Sequence, residues 1–146
     1  MLVKSLMSGD VVSVDPQSSV ETAAKLLSRH NVGMLPVCGP DQHLMGVVTD
    51  RDLVLRCVAP GEDPKNTPVR SVMSRGCVTV TPGAQCVHAS ALMARHQIRR
   101  LPVVEDGMLI GMLTLGDLAK SQRYDMEAAE ALCDISENIV RAKTDR

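Results

Sequence analysis

The sequence predicts an α+β fold assembled twice: two β-α-β-β-α units packed sheet to sheet with pseudo-twofold symmetry, followed by a C-terminal helix. Three observations predict it. The 146-residue chain repeats itself at a shift of 66 residues, with 14 identities in the 36 positions that align 3–38 with 69–104. Each copy changes from strand-like to helix-like patterning at matching places. A unit of about 55 residues also buries too little surface to be comfortable alone, which two related units packing sheet against sheet would solve.

Among the identities are Met7/Met73, Ser8/Ser74, Val12/Val78, Val14/Val80, Pro16/Pro82, Arg29/Arg95, His30/His96 and the triplet Leu35-Pro36-Val37, which recurs as Leu101-Pro102-Val103. One residue is then lost in a turn, and 44–53 aligns with 109–118 at 5 of 10 positions, Gly46/Gly111, Thr49/Thr114 and Asp52/Asp117 among them. The expected organisation is repeat 1 over 1–58, a linker with three prolines over 59–68, repeat 2 over 69–122, and a helix and tail over 123–146.

Each copy opens with a short apolar run, Val11 to Val14 or Cys77 to Val80, stopped by Pro16 or Pro82. A helix follows. Ser18 and Glu21 have the spacing of a capping box, and Val20, Ala23, Ala24 and Leu27 form an i, i+3, i+4, i+7 stripe that Cys86, Ala89, Ser90 and Met93 repeat. His30 and His96 fall near the helix C-termini, where the dipole favours a cation. Two strands come next, Met34–Cys38 with Leu44–Val48 and Leu101–Val104 with Leu109–Leu113. Gly39-Pro40-Asp41 and Asp106-Gly107 supply the turn chemistry between them. A second helix opens at Thr49 or Thr114. Past the repeat, Ala129, Leu132, Cys133, Ser136, Ile139 and Val140 mark one face of a last helix, suited to capping the pair or to meeting another subunit.

Composition narrows the function. Hydrophobic residues make up 45% and charged residues 23%, a globular balance. Formal net charge is −1 and Tyr124 is the only aromatic, which leaves neither a basic surface for nucleic acid nor a platform for unpaired bases. No segment approaches the roughly 18 apolar residues of a membrane span, and no leader is visible in the first ten residues. Five cysteines without a Cys-x-x-Cys pair read as reduced thiols of a cytoplasmic protein, mostly small core residues, and argue against a zinc site.

The feature common to both copies without an obvious packing reason is Gly-x-x-Thr-x-x-Asp, at Gly46-Val47-Val48-Thr49-Asp50-Arg51-Asp52 and at Gly111-Met112-Leu113-Thr114-Leu115-Gly116-Asp117. A hydroxyl and a carboxylate three apart at a helix start can cap that helix. They can equally meet a sugar, the carboxylate accepting from two ribose hydroxyls, with backbone N–H groups beside it. Spacing leaves both readings open. Arg99-Arg100, standing where the first copy has Gly33-Met34, suits phosphate oxygens or is an ordinary solvated pair. The two-glycine spacing of 111–116 is no phosphate loop, since Asp117-Leu118 replaces the Lys-Ser/Thr. Nucleophile-elbow and His-Glu-x-x-His signatures are lacking, so an enzyme is not expected.

These motifs resemble a tandem cystathionine-β-synthase (CBS) domain pair, or Bateman module, over about residues 1–122, of the short bacterial stand-alone type. The resemblance rests on Met7-Ser8, Val12-Ser13-Val14, His30 to Val37 and Gly46 to Leu53 with their second-copy partners. It implies regulatory binding of AMP, ADP, ATP or S-adenosylmethionine in clefts between the copies, a homodimer and an unidentified effector protein. Carried over residue by residue, one cleft would use Thr114 and Asp117 on the ribose, Arg99 and Arg100 on the phosphate, and Val32, Gly33 and Met34 beside the adenine. The mirror cleft would use Thr49 and Asp52 with Ile98, and Gly33 and Met34 offer it no cation. No cofactor is implied. The competing expectation is a non-binding structural homodimer in which Thr-x-x-Asp only caps helices.

Overall fold

The helix after each proline-stopped run forms where the apolar stripe predicts it. Helix α2 (Val20–His30) buries Val20, Ala23 and Leu27, and its counterpart (Cys86–His96) buries Cys86, Ala89, Ser90 and Met93. Both end on a histidine and stop at a left-handed residue, Asn31 (φ 51°) or Gln97 (φ 57°). The N-cap of α2 is Ser19, not Ser18: the Ser19 hydroxyl accepts from the Thr22 N–H at 3.1 Å, and the Ser18 carbonyl is taken by the Val69 N–H. Ala24, expected in the stripe, is exposed.

The structure is a computed structural model that describes residues 1–121 and 129–137. Its elements in chain order are α1 (Val3–Leu6), α2, β1 (Met34–Cys38), β2 (Leu44–Thr49), α3 (Asp50–Leu53), α4 (the Cys86–His96 helix), β3 (Arg100–Glu105), β4 (Met108–Thr114) and α5 (Leu115–Ala119). Alpha and beta elements mix around two small sheets, β1 with β2 and β3 with β4. Strands β1 and β2 run antiparallel with Met34 opposite Thr49. The second hairpin turns at Asp106 (φ 53°) and Gly107 (φ 80°), the pair of left-handed residues that a tight two-residue turn needs. The predicted opening strand of each copy shrinks to one residue: Val14 bridges Val37 in parallel, and Val80 bridges Val103. Pro16 and Pro82 follow too closely for a longer ladder.

The chain divides into two compact units that do not coincide with the sequence copies at their ends. One holds Val11–Cys77 with Asp106–Leu109, and the other holds Met1–Asp10, Val78–Glu105 and Ile110–Arg146. In the first, Val69, Val72 and Met73 complete a core with Val14, Val20, Leu27, Leu35, Val37, Val48, Leu53 and Cys57. The linker is stitched to that core, because the carbonyls of Pro64 and Thr67 accept the N–H groups of Glu21 and Val20 that open α2. In the second unit Val3 of α1 packs with Val80, Cys86, Ala89, Met93, Leu101, Val103, Leu113 and Leu118.

Residues 129–137 are helical, with a face different from the one expected. Ala131 and Ile135, one turn apart, are buried, whereas Ala129, Leu132, Cys133 and Ser136 are exposed. Over these described residues an i, i+4 pair is buried, so the described part of the stripe read from the sequence is exposed. Ile139 and Val140 lie outside the described residues. The five cysteines are free thiols, with Cys38, Cys57 and Cys86 in the interior and Cys133 exposed. Burial pushes the Cys38, Cys77 and Cys86 thiols above the ordinary range.

Candidate functional site

The Gly-x-x-Thr-x-x-Asp segments sit at corresponding points of the two units, each running from the inner part of a hairpin strand into a short helix. Their glycines have a packing reason that sequence alone did not reveal. Gly46 lies against the backbone of Ser74, which exchanges two hydrogen bonds with Val47 at 3.0 and 2.8 Å, and a Cβ on Gly46 would overlap the Ser74 carbonyl oxygen. Gly111 has the same relation to Ser8, which exchanges two 2.9 Å bonds with Met112, and a Cβ there would come within 2.8 Å of the Met7 sulfur and 2.9 Å of the Ser8 oxygen. The paired Met-Ser identities are thus the strands that these glycines admit.

The Thr and Asp of each copy form a reciprocal capping box. The Thr49 hydroxyl accepts from the Asp52 N–H at 3.1 Å while Asp52 Oδ2 accepts from the Thr49 N–H at 3.0 Å. At Thr114 and Asp117 the distances are 3.0 and 2.9 Å. Capping is therefore realised in both copies. It does not exhaust the side chains: each hydroxyl that accepts still has a proton to donate, and each carboxylate has a second oxygen.

Around these boxes the two copies diverge. In the second unit the Leu115 N–H donates to the Arg99 carbonyl at 2.8 Å, which fastens Arg99 and Arg100 beside the Thr114–Asp117 box. Arg99 is exposed, Arg100 half-buried, and among the described residues neither forms an ion pair. Ile98 is half-buried against the core of the same unit. In the first unit the equivalent link runs from the Asp50 N–H to the Gly33 carbonyl at 3.1 Å, and Met34 lies opposite Thr49 in the sheet. The Asp50 carboxylate would be 3.6 Å from a Cβ on Gly33, so an acid stands where the second unit has arginine. Val32 packs partly buried on that core. The structure thus groups Gly33 and Met34 with Thr49 and Asp52, and Arg99 and Arg100 with Thr114 and Asp117, each set within its own unit.

The sequence reading missed Arg56, which stands one turn after Asp52 with its Nη1 3.6 Å from Asp52 Oδ1. The i, i+4 spacing of acid and base was a usable signal. Among the described residues no three His, Cys, Asp or Glu side chains gather as a metal site requires, and no helix is long and apolar enough to cross a membrane.

Comparison with known proteins gives the family. The CBS domain signature matches twice, over residues 3–58 and 69–124. The chain belongs to the CBS domain family. It is 45% identical over 134 residues to the CBS domain-containing protein YhcV of Bacillus subtilis, covering 92% of this chain and 94% of that one. The crystal structure of Hypoxic Response Protein I, which holds two coordinated zinc ions, superposes with a TM-score of 0.76 at 31% identity over 82% of this chain and 98% of the other. The CBS domain pair of MJ0100, solved with 5′-methylthioadenosine and S-adenosyl-L-methionine, gives a TM-score of 0.71 at 26% identity over 82% and 98% of the two chains. The doubling read from the sequence is the doubling of the CBS pair.

Proposed function

We propose that this CBS pair is a non-catalytic, cytoplasmic sensor of adenosine-containing ligands, AMP, ADP, ATP or S-adenosylmethionine, that passes its occupancy to an effector protein. The observation that carries the reading is the second-unit half-site. Asp117 is anchored through Oδ2 alone, and among the described residues its other oxygen faces no cation. The backbone of Arg99 is tied to the same helix start through the Leu115 N–H, and among the described residues neither Arg99 nor Arg100 has an acid partner. A ribose diol needs acceptors held in place, and a phosphate needs cations not already neutralised. Thr114 donates its remaining hydroxyl proton to the same ligand, while Val32, Gly33, Met34 and Ile98 supply aliphatic and backbone surface for adenine. Thr49 and Asp52 form the weaker counterpart. The complex of the MJ0100 pair with two adenosine-containing ligands supports this ligand class. Exposed Val54, Leu55 and Val58 offer an apolar face for the expected homodimer.

Thermal melts with AMP, ADP, ATP, S-adenosylmethionine and adenosine test the reading, because a ligand at a hundredfold excess over its Kd adds about 2.7 kcal/mol. The double variant Arg99→Ala/Arg100→Ala is expected to weaken AMP binding roughly a hundredfold, the worth of two partly exposed charge-assisted contacts, and adenosine binding less than about threefold. Equal losses for the two ligands would remove the phosphate assignment. The second reading, a non-binding structural homodimer, is favoured by the paired capping boxes and is the conclusion if no ligand moves the melt.

A further inference from the structure

The two Asp carboxylates make the same capping bond, yet they differ in what holds their other oxygen. Asp52, with a side chain 12% exposed, has Arg56 Nη1 at 3.6 Å from Oδ1. That guanidinium is half-exposed yet anchored. The same Nη1 donates to the Val72 carbonyl at 3.0 Å, the Met73 carbonyl at 3.2 Å and the Ser74 hydroxyl at 3.3 Å. Val72 is the residue that ends the short 3-10 turn Val69–Ser71, so its carbonyl belongs to a fixed terminus. Arg56 itself stands in a π-helical turn, Val54–Val58, continuous with α3. Such widened turns recur at functional positions. The cation beside Asp52 is thus tied to the 72–74 segment, whose Ser74 lies against Gly46.

Among the described residues the second copy has no such brace. The register that pairs Asp52 with Asp117 pairs Arg56 with Ser121, whose hydroxyl lies 4.0 Å from the Met1 sulfur and carries no charge. Among the described residues Asp117 has no ion pair.

We propose that Arg56 is a specificity-determining residue that withholds the Asp52 carboxylate from a ribose. One chain then binds one adenosine-containing molecule tightly at Asp117 and a second only weakly at Asp52. The proposal rests on the ribose-binding reading above and adds what sets the two copies apart. A carboxylate with a guanidinium 3.6 Å from its outer oxygen has part of its charge already offset, so it gains less from accepting sugar hydroxyls.

The test is calorimetric titration of the full chain with adenosine, a probe without phosphate, so that changes in cation count do not act through the ligand's own charge. Wild-type protein is expected to show two classes of site at least tenfold apart. Arg56→Gln, which keeps a donor for the Val72 carbonyl, should strengthen the weak class roughly tenfold and leave the tight class alone. Ser121→Arg installs the brace one turn after Asp117 and should weaken the tight class by a similar factor. If Arg56→Gln fails to fold, Ser121→Arg decides alone. Two equal classes in the wild type, a weak class unmoved by Arg56→Gln in a folded protein, or a tight class unmoved by Ser121→Arg each overturn the Arg56 assignment while leaving ribose binding intact. No adenosine binding by any of the three proteins overturns the ribose reading and this proposal with it.

Discussion

On the proposed reading Asp117 both caps α5 and accepts from a ribose, and one substitution separates the two roles. Asp117→Asn keeps a carbonyl oxygen that can accept from the Thr114 N–H, now 2.9 Å from Oδ2. It replaces the other oxygen with an amide that can donate but not accept, so the charged acceptor for the two ribose O–H groups is lost. Its cost to the fold is the loss of a negative charge at the start of α5, about 0.5 kcal/mol. Asp117→Ala loses that charge and the half-buried hydrogen bond as well, about 1.5 kcal/mol. At about 3 °C per kcal/mol for a chain of this size, the melts fall by about 2 °C and about 5 °C respectively. Ligand response separates the roles. Wild-type protein at a hundredfold excess of AMP over its Kd gains about 2.7 kcal/mol, or about 8 °C. Losing a charge-assisted acceptor weakens binding about fiftyfold, and at the same AMP concentration the gain drops to about 0.6 kcal/mol, or about 2 °C. The assay is a thermal melt of both variants with and without AMP. If Asp117→Asn keeps the full wild-type response, the carboxylate is a helix cap and nothing more.

Two further outcomes follow from the packing. Gly46→Ala must displace the Ser74 carbonyl from a two-way backbone pairing and should cost roughly 2–3 kcal/mol in chemical denaturation, while Gly83→Ala, with open space around it, should fall within about 1 kcal/mol of wild type; equal costs would refute the close-approach account. Burial raises the Cys38, Cys77 and Cys86 thiols, so alkylation followed by mass spectrometry should modify exposed Cys133 well before them, and uniform labelling would contradict their placement. These groups prefer to stay neutral in the folded protein, so the stability they contribute is complete below the ordinary thiol pKa of about 8.5 and is lost as pH rises above it.

What the sequence disclosed and what it concealed divide along one physical line. Periodic burial is written in residue type, so the helices ending at His30 and His96 and the hairpin at Asp106-Gly107 were legible. Contacts set by backbone proximity are not. Nothing in the identity of Gly46 says that Ser74, 28 positions later, will lie against it, although the recurrence of Met-Ser upstream of each copy was the trace of that pairing. Over its described residues 129–137 the last helix departs for a related reason, since Ala131 and Ile135 are buried there while the stripe read from the sequence names Ala129, Leu132, Cys133 and Ser136. Of the candidate site, the Thr and Asp positions were readable because a cap and a sugar clamp require the same residue types at the same spacing. That coincidence is also why spacing could not choose between them. The capping boxes show that the choice was never exclusive. A carboxylate that spends one oxygen on its own backbone is rigidly aimed, and a fixed acceptor loses little entropy on meeting a ligand. By that argument the cap would fit Asp117 to hold a sugar, and on the proposal above Arg56 against Ser121, beside Gly33-Met34 against Arg99-Arg100, would set the two copies apart.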